Sequence, residues 1–258
     1  MEGHQGLHIS LAAERLGTFL GLPITNTLLA SWFILAILFI VAYFGGRKAS
    51  IVPGKIQNFF ELVFEFAIGY MENILGSRKL AVTYFPLIAT IFLVIASSNL
   101  FDFFPFFGAI TYHTGTETIP LLRPVNTDLN VTLALAIISV IAIEVIGILT
   151  LGIKRYASKF FNFTSPINFI VGLIEFVSEL SRFISFSFRL FGNIFAGEVL
   201  IAVIVYFVPY ILPVPLMLFE TFVGLVQATV FAMLTLFFIK LARTPAHSEA
   251  HSKTSEAH

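Results

Sequence analysis

Five stretches of this chain are apolar over about the 20 residues that a helix needs to cross the ~30 Å hydrocarbon layer of a bilayer. They run over 27–44, 81–103, 129–152, 167–208 and 214–241. Lipid offers no water to unpaired backbone groups, so only helices and closed barrels can span it. Barrel strands alternate apolar and polar residues over about ten positions, and these runs do not. The pattern therefore predicts an all-α polytopic membrane protein with about five transmembrane helices. The fourth run is too long for a perpendicular crossing, since about 40 helical residues rise about 60 Å. It has to be strongly tilted, bent or broken, with Gly192 and Gly197 as the candidate break points.

Loop charge sets the expected orientation. Arg47, Lys48, Lys55, Arg78 and Lys79 lie between runs one and two; Lys154, Arg155 and Lys159 lie between three and four; Lys240 and Arg243 follow run five. The alternate loops hold Arg123 and the Pro-rich VPYILPVP. Five crossings put all three basic groups in the cytoplasm and the N-terminus outside. The whole chain, 1–258, then reads as one membrane domain: an outer segment 1–26, helices over 27–241 and a polar cytoplasmic tail 242–258. Residues 9–20 are expected to form a short interfacial helix. No basic region leads into a short apolar core at the N-terminus, so no cleaved signal peptide is expected. The tail is expected to be disordered, with His247, His251 and His258 solvated rather than metal-bound. In 56–75, Gln57, Glu61, Glu65 and Glu72 share one helical face, and Phe59, Phe60, Val63, Phe66 and Ile74 lie largely on the other. That pattern suits a helix on the membrane surface or against a partner helix; a sixth, re-entrant span is the alternative.

Several functions lose their usual signatures. There is no Cys, hence no disulfide or thiolate chemistry. VPGKI lacks the first Gly and the hydroxyl of a phosphate loop, and neither HExxH nor GxSxG occurs. No cofactor, metal, nucleotide site or nucleic-acid partner is expected. The informative residues are the charges inside the runs, which are costly in lipid and functional by default: Asp102, Glu144, Glu175, Glu179, Arg182, Arg189, Glu198 and Glu220. Asn99, Asn193 and Gln227 add neutral polar groups, and no His lies in a span. At 100° per residue, Glu175, Glu179, Arg182, Arg189 and Asn193 fall within a sector of roughly 80°. Glu198, nine residues past Arg189, points about 180° away. Glu220 and Gln227, seven apart, share a face. Glu179 and Arg182 suit an ordinary i,i+3 ion pair. Glu175 is balanced between the wall of a path and a solvated residue. Glu144 has no partner in its own span and leans towards a path. Asp102 is placed for interfacial solvation. The carboxylates on the Arg189 stripe lie a turn or more from it, which disfavours an internal salt bridge. An ion-conducting stator, with two polar paths separated by a fixed positive charge, fits this layout. A self-contained transporter or channel would need its own cavity and usually an internal repeat, which is not evident. A membrane enzyme is the weakest reading.

SFRLFGNIFAGE, over 187–198, resembles the RLFGN-AGE signature of the a subunits in the membrane sector of rotary F-type ATP synthases. SSNLFDFFP, RPVNTDLNVTLALA, IEFVSELSRFISFSFRLFGN and VGLVQATVFAMLT resemble successive blocks of the same family, so the likeness covers most of the chain. The resemblance implies a bacterial plasma-membrane protein whose last two long helices pack as a tilted hairpin against a ring of c subunits. It implies as further partners b-type peripheral stalk subunits, the rest of the F1Fo complex and membrane lipid. By motif, Arg189 takes the place of the family's essential arginine, with Asn193 beside it. Glu198 and Glu220 take the places of a titratable pair, often one His and one Glu; here both are Glu. Gln227 matches a glutamine that faces the arginine from the next helix. Asn99, Asp102, Arg123 and Asn130 match polar positions of the outer inlet, and Glu175 matches an acidic position on the cytoplasmic side. Glu144 matches no position of the family. Sodium in place of protons is the alternative within the same family.

Overall fold

The computed structural model describes residues 13–19, 21–47, 54–101, 110–114, 117–160, 166–208 and 211–244. It opens on a hairpin, β1 (Arg15–Phe19) paired antiparallel with β2 (Leu22–Thr25). The interfacial helix expected over 9–20 is therefore replaced, in its described part, by a strand. Gly17, Thr18, Gly21 and Pro23 explain the difference. Gly and Pro are poor helix formers, and Gly21 turns the hairpin at a φ of 83°. Next come α1 (Asn26–Arg47), α2 (Lys55–Leu75) and α3 (Arg78–Phe101). A second hairpin follows, β3 (Thr111–Thr114) with β4 (Glu117–Pro120), then a 3-10 turn at Val125–Thr127. The chain continues through α4 (Leu129–Leu151), α5 (Ile153–Phe160), α6 (Pro166–Phe207) and α7 (Pro213–Arg243).

Five of these helices, α1, α3, α4, α6 and α7, are long and apolar enough to cross a membrane, in register with the five apolar runs. α6 is one continuous helix of 42 residues. Gly192 and Gly197 do not break it, and of the alternatives for fitting it to a bilayer, a break is excluded. α2 is a separate amphipathic helix. Gln57 donates to Glu61 at 2.8 Å along its acidic face, and Arg78 bridges from the start of α3 to Glu65 and Glu72. Its C-terminal half docks through Met71, Ile68 and Ile74, while Phe59, Phe60 and Phe66 stay exposed.

α7 is the central post. Its buried face, from Gly224 through Ala228, Phe231 and Ala232 to Leu236 and Ile239, packs on Ile88, Ile91 and Ile95 of α3. Phe186 of α6 stacks on Phe231 with centroids 4.8 Å apart. Hydrophobicity does not drive one helix onto another in lipid. Close contact through small residues and interhelical hydrogen bonds does, which accounts for the Gly and Ala on this face. Such a bundle has two distinct ends. At one, which we call the hairpin end, lie the hairpins, the 3-10 turn, the starts of α1, α4 and α7 and the last turns of α3 and α6. At the other, the basic end, lie α2, α5 and the start of α6.

Candidate functional site

The hairpin end carries a buried polar network. Asp128 caps α4: its Oδ1 accepts from the Asn130 backbone N–H at 2.9 Å and from Asn130 Nδ2 at 3.0 Å. Its Oδ2 accepts from Thr27 Oγ1 at 2.8 Å, tying α1 to α4. One turn of chain earlier, Asn126 donates to Asn99 Oδ1 at 2.6 Å, and Asn99 donates to the Gly224 carbonyl at 2.8 Å. That chain of amides joins the 3-10 turn, α3 and α7. Asn126 Oδ1 and Gln227 Nε2, both buried, have no hydrogen-bond partner among the described residues. Asn126, Asp128 and Thr27 were not singled out from the sequence. An Asp directly before an apolar run is a recognisable helix-cap signal; the Asn126–Asn99 contact has no local signature.

Arg123, with a side chain only 8% exposed, reaches across to Glu198 on α6, 3.3 Å from Nη2 to Oε2. Glu220 on α7 lies against Gly197, where an added methyl would collide with its carboxyl. The two carboxyls thus come to adjacent positions of the α6–α7 seam, one with a cation and the other with no hydrogen bond or ion pair among the described residues. Asp102 lies outside the described residues, as do His247, His251 and His258.

Arg189 stands on an exposed face of α6. Its Nη2 donates to Ser185 Oγ at 3.1 Å, and among the described residues it makes no ion pair. The packed line Phe186–Leu190–Ile194 runs between Arg189 and Glu198, each about 80–100° from it at 100° per residue. Asn193, half-buried, follows Arg189 by one turn. Gln227 is buried on the α7 face that carries Gly224 and Ala228; its Nε2 makes no hydrogen bond to Arg189 or to any other described residue.

The basic end holds a second charged group. Lys159 of α5 lies 2.6 Å from Glu175 and 3.9 Å from Glu179, and Arg182 lies 2.9 Å from Glu179. The Arg182 guanidinium also rests over the Phe238 ring of α7, 3.8 Å from its centroid, a contact worth about 0.5–2 kcal/mol. Glu144, from α4, accepts from Tyr156 OH at 2.8 Å. Burial, and then this bond, push the Tyr156 phenol above its ordinary value, so it remains a donor. Glu144, which has no partner in its own span, finds one on α5. Nothing in the sequence connects Tyr156 to it.

A family model described as ATP synthase A chain matches residues 28–240. The ATP synthase subunit a of Moorella thermoacetica is 34% identical over 218 residues, covering 84% of this chain and 90% of the relative. That of Campylobacter jejuni (serotype O:6) is 36% identical over 215 residues, covering 82% and 86%. A sodium ion specific ATP synthase subunit a of Propionigenium modestum is 32% identical over 230 residues, covering 89% and 78%. A match over most of the length, through all five spanning helices, places this chain in the ATP synthase A chain family.

Proposed function

We propose that the chain is the ion-conducting stator subunit of an F-type ATP synthase, which offers two offset half-paths to a rotating ring of c subunits. One observation carries the reading. Arg189 is an intramembrane guanidinium with no carboxylate partner among the described residues of its own chain, standing on an exposed helix face between two separate polar clusters. A guanidinium stays charged at any pH a cell meets, and an unpaired charge in lipid is costly. A carboxylate presented by a neighbouring subunit supplies the missing partner. As each ring carboxylate comes within ~4–6 Å of the arginine, its ionised form is favoured and its proton leaves. The same positive charge repels a proton that would cross directly from one path to the other.

The hairpin-end cluster is the inlet in this reading. Asn99, Asp102, Glu198 and Glu220 hand protons inward, with Gln227 and Asn193 lining the approach to the ring. The basic-end cluster is the outlet, with Glu175 on its wall. A potential of 100 mV supplies about 2.3 kcal/mol per charge moved, and it biases rotation only while the two clusters stay separate. The charge of the basic loops supports an outlet in the cytoplasm of a bacterial cell, with the ring, the peripheral stalk and the remainder of the F1Fo complex as the partners this reading requires. The sodium ion specific relative keeps a second coupling ion in view. ATP-driven acidification that persists without sodium supports protons; dependence on added sodium supports the alternative.

The test uses the whole complex in membrane vesicles. Arg189→Ala should assemble and lose ATP-driven proton pumping by at least about a hundredfold, the size expected when one preorganised charge is removed. Full coupled pumping in that variant would overturn the reading.

A further inference from the structure

Glu144 is an intramembrane carboxyl that matches no position of the family, and its surroundings are specific. It projects from α4 towards α6. Tyr156 reaches back to it from α5, across Gly147, where a side chain would strike the Tyr156 ring. Its other oxygen, Oε1, is fully buried and accepts no hydrogen bond among the described residues. The Glu179 side chain of α6 lies within hydrogen-bonding reach of the Glu144 side chain. The charged and titratable groups facing this pair are Tyr156 and Lys159 from α5 and Glu175 and Arg182 from α6. From α7, Phe238 holds Arg182 in place. The charges of α7 lie elsewhere: Glu220 is at the hairpin end, Lys240 is exposed and Arg243 sits over Tyr84 of α3.

Three carboxyls thus share two cations. Lys159 is committed to Glu175, and Arg182 to Glu179. Glu144 has, among the described residues, a phenol and no cation, and that phenol stays protonated. Two buried carboxylates within hydrogen-bonding reach repel each other unless one proton is shared between them. A proton on Glu144 Oε1, donated to Glu179, removes the repulsion and satisfies the orphaned oxygen in one step.

We propose that Glu144 and Glu179 form a carboxyl–carboxylate pair holding one exchangeable proton, and that this pair relays protons between the Arg189 stretch of α6 and Glu175 at the basic end. The inference rests on the stator reading for its transport role. A proton arriving from the Arg189 side adds to the pair, and one leaves by way of Glu175 to water; no other bond changes. Tyr156 is a positioning residue that fixes which oxygen of Glu144 faces Glu179.

The assay is ATP-driven proton pumping by the full complex in vesicles, read against the pH of the basic face, with an infrared difference spectrum of the assembled complex. A positioned acid or base contributes about 10²–10⁴-fold to a proton transfer; with water and Glu175 as a parallel route, Glu144→Gln should slow pumping about three- to tenfold. It should also flatten the pH profile and remove a protonated-carboxyl stretching band, and Glu144→Asp should restore the profile in part. A Glu144→Gln complex with the parental pH profile, whether at full rate or uniformly slower, overturns the proposal. Should Glu144→Gln fail to assemble, Tyr156→Phe decides: a shifted profile supports the shared proton and an unchanged one overturns it. Pumping by Arg189→Ala would sink the stator reading alone, because the infrared band reports the pair without transport.

Discussion

Glu198 and Glu220 meet at the same helix seam in unlike surroundings. Glu198 has the buried Arg123 guanidinium at 3.3 Å. Glu220 has a glycine and no cation among the described residues. Removing one member of a buried ion pair leaves the other charge uncompensated, at a cost of about 3–5 kcal/mol in a closed site. Glu198 is one-third open to its surroundings (34%), so only part of that cost applies. Glu198→Gln is therefore expected to lower the amount of assembled subunit. Glu220→Gln should assemble normally and slow proton uptake by about tenfold, the low side of what a positioned proton carrier contributes. The double variant should be slower than either single change. Quantifying subunit a in purified complexes, alongside acid-driven ATP synthesis, separates the two effects. A double variant that synthesises ATP at the parental rate would remove both residues from the inlet.

Between elements, the closest approach that matters for the inlet is α3 on α7. Asn99 reaches the Gly224 carbonyl because Gly224 has no side chain: a Cβ there would lie 2.7 Å from Asn99 Cβ. Gly224→Val should push the helices apart and break the Asn126–Asn99–Gly224 chain. The cost is that of an overpacked core, about 1–3 kcal/mol, visible as a lower thermal midpoint of the complex and slower uptake. Gly69→Ala on α2 has open space around it and should leave uptake unchanged and hold or raise the midpoint, since Ala favours helix over Gly by up to about 1 kcal/mol. The elements themselves were largely legible in the sequence, because a span is announced by a continuous apolar run and α2 by its two-faced charge pattern. The Arg189–Glu198 opposition was legible for a related reason: it depends only on the 100° step along one helix. The first hairpin was not, since a short segment rich in Gly and Thr carries weak periodicity and takes its form from a turn at Gly21. Nor were Asn126–Asn99, Arg123–Glu198 and Tyr156–Glu144. Each joins distant parts of the chain, and no local pattern encodes which polar groups a packed bundle will bring together. Tyr156 reaches Glu144 only because the chain reverses between α4 and α5 at Gly152, with φ 81°.

At the scale of the molecule, the direction of proton flow depends on which end faces the cytoplasm. The two clusters differ in kind: amides and an Arg–Glu pair at the hairpin end, a Lys–Arg–Glu group beneath the basic loops at the other. On our proposal, the excess of Lys and Arg in those loops puts the basic end inside. The natural absence of Cys makes this directly testable with single cysteines at exposed positions and a membrane-impermeant maleimide. Thr111 and Ile211, at the hairpin end, should label in right-side-out vesicles. Gly54 and Ser158, at the basic end, should label only in inverted ones. The pairing of the last two is the sharpest discriminator. If α2 crossed the membrane as a sixth span, Gly54 and Ser158 would lie on opposite faces, and one of them would react from each side. With α2 on the surface they must react together, and the three basic loops, Lys159 and Glu175 then share one compartment. That arrangement puts a cationic rim around the outlet. Its charge repels incoming cations and attracts hydroxide and anionic buffers over about a Debye length, ~8 Å at physiological salt. Proton release from Glu175 should therefore slow as potassium chloride is raised on that face, whereas uptake through the amide-lined inlet should change little with salt on the other.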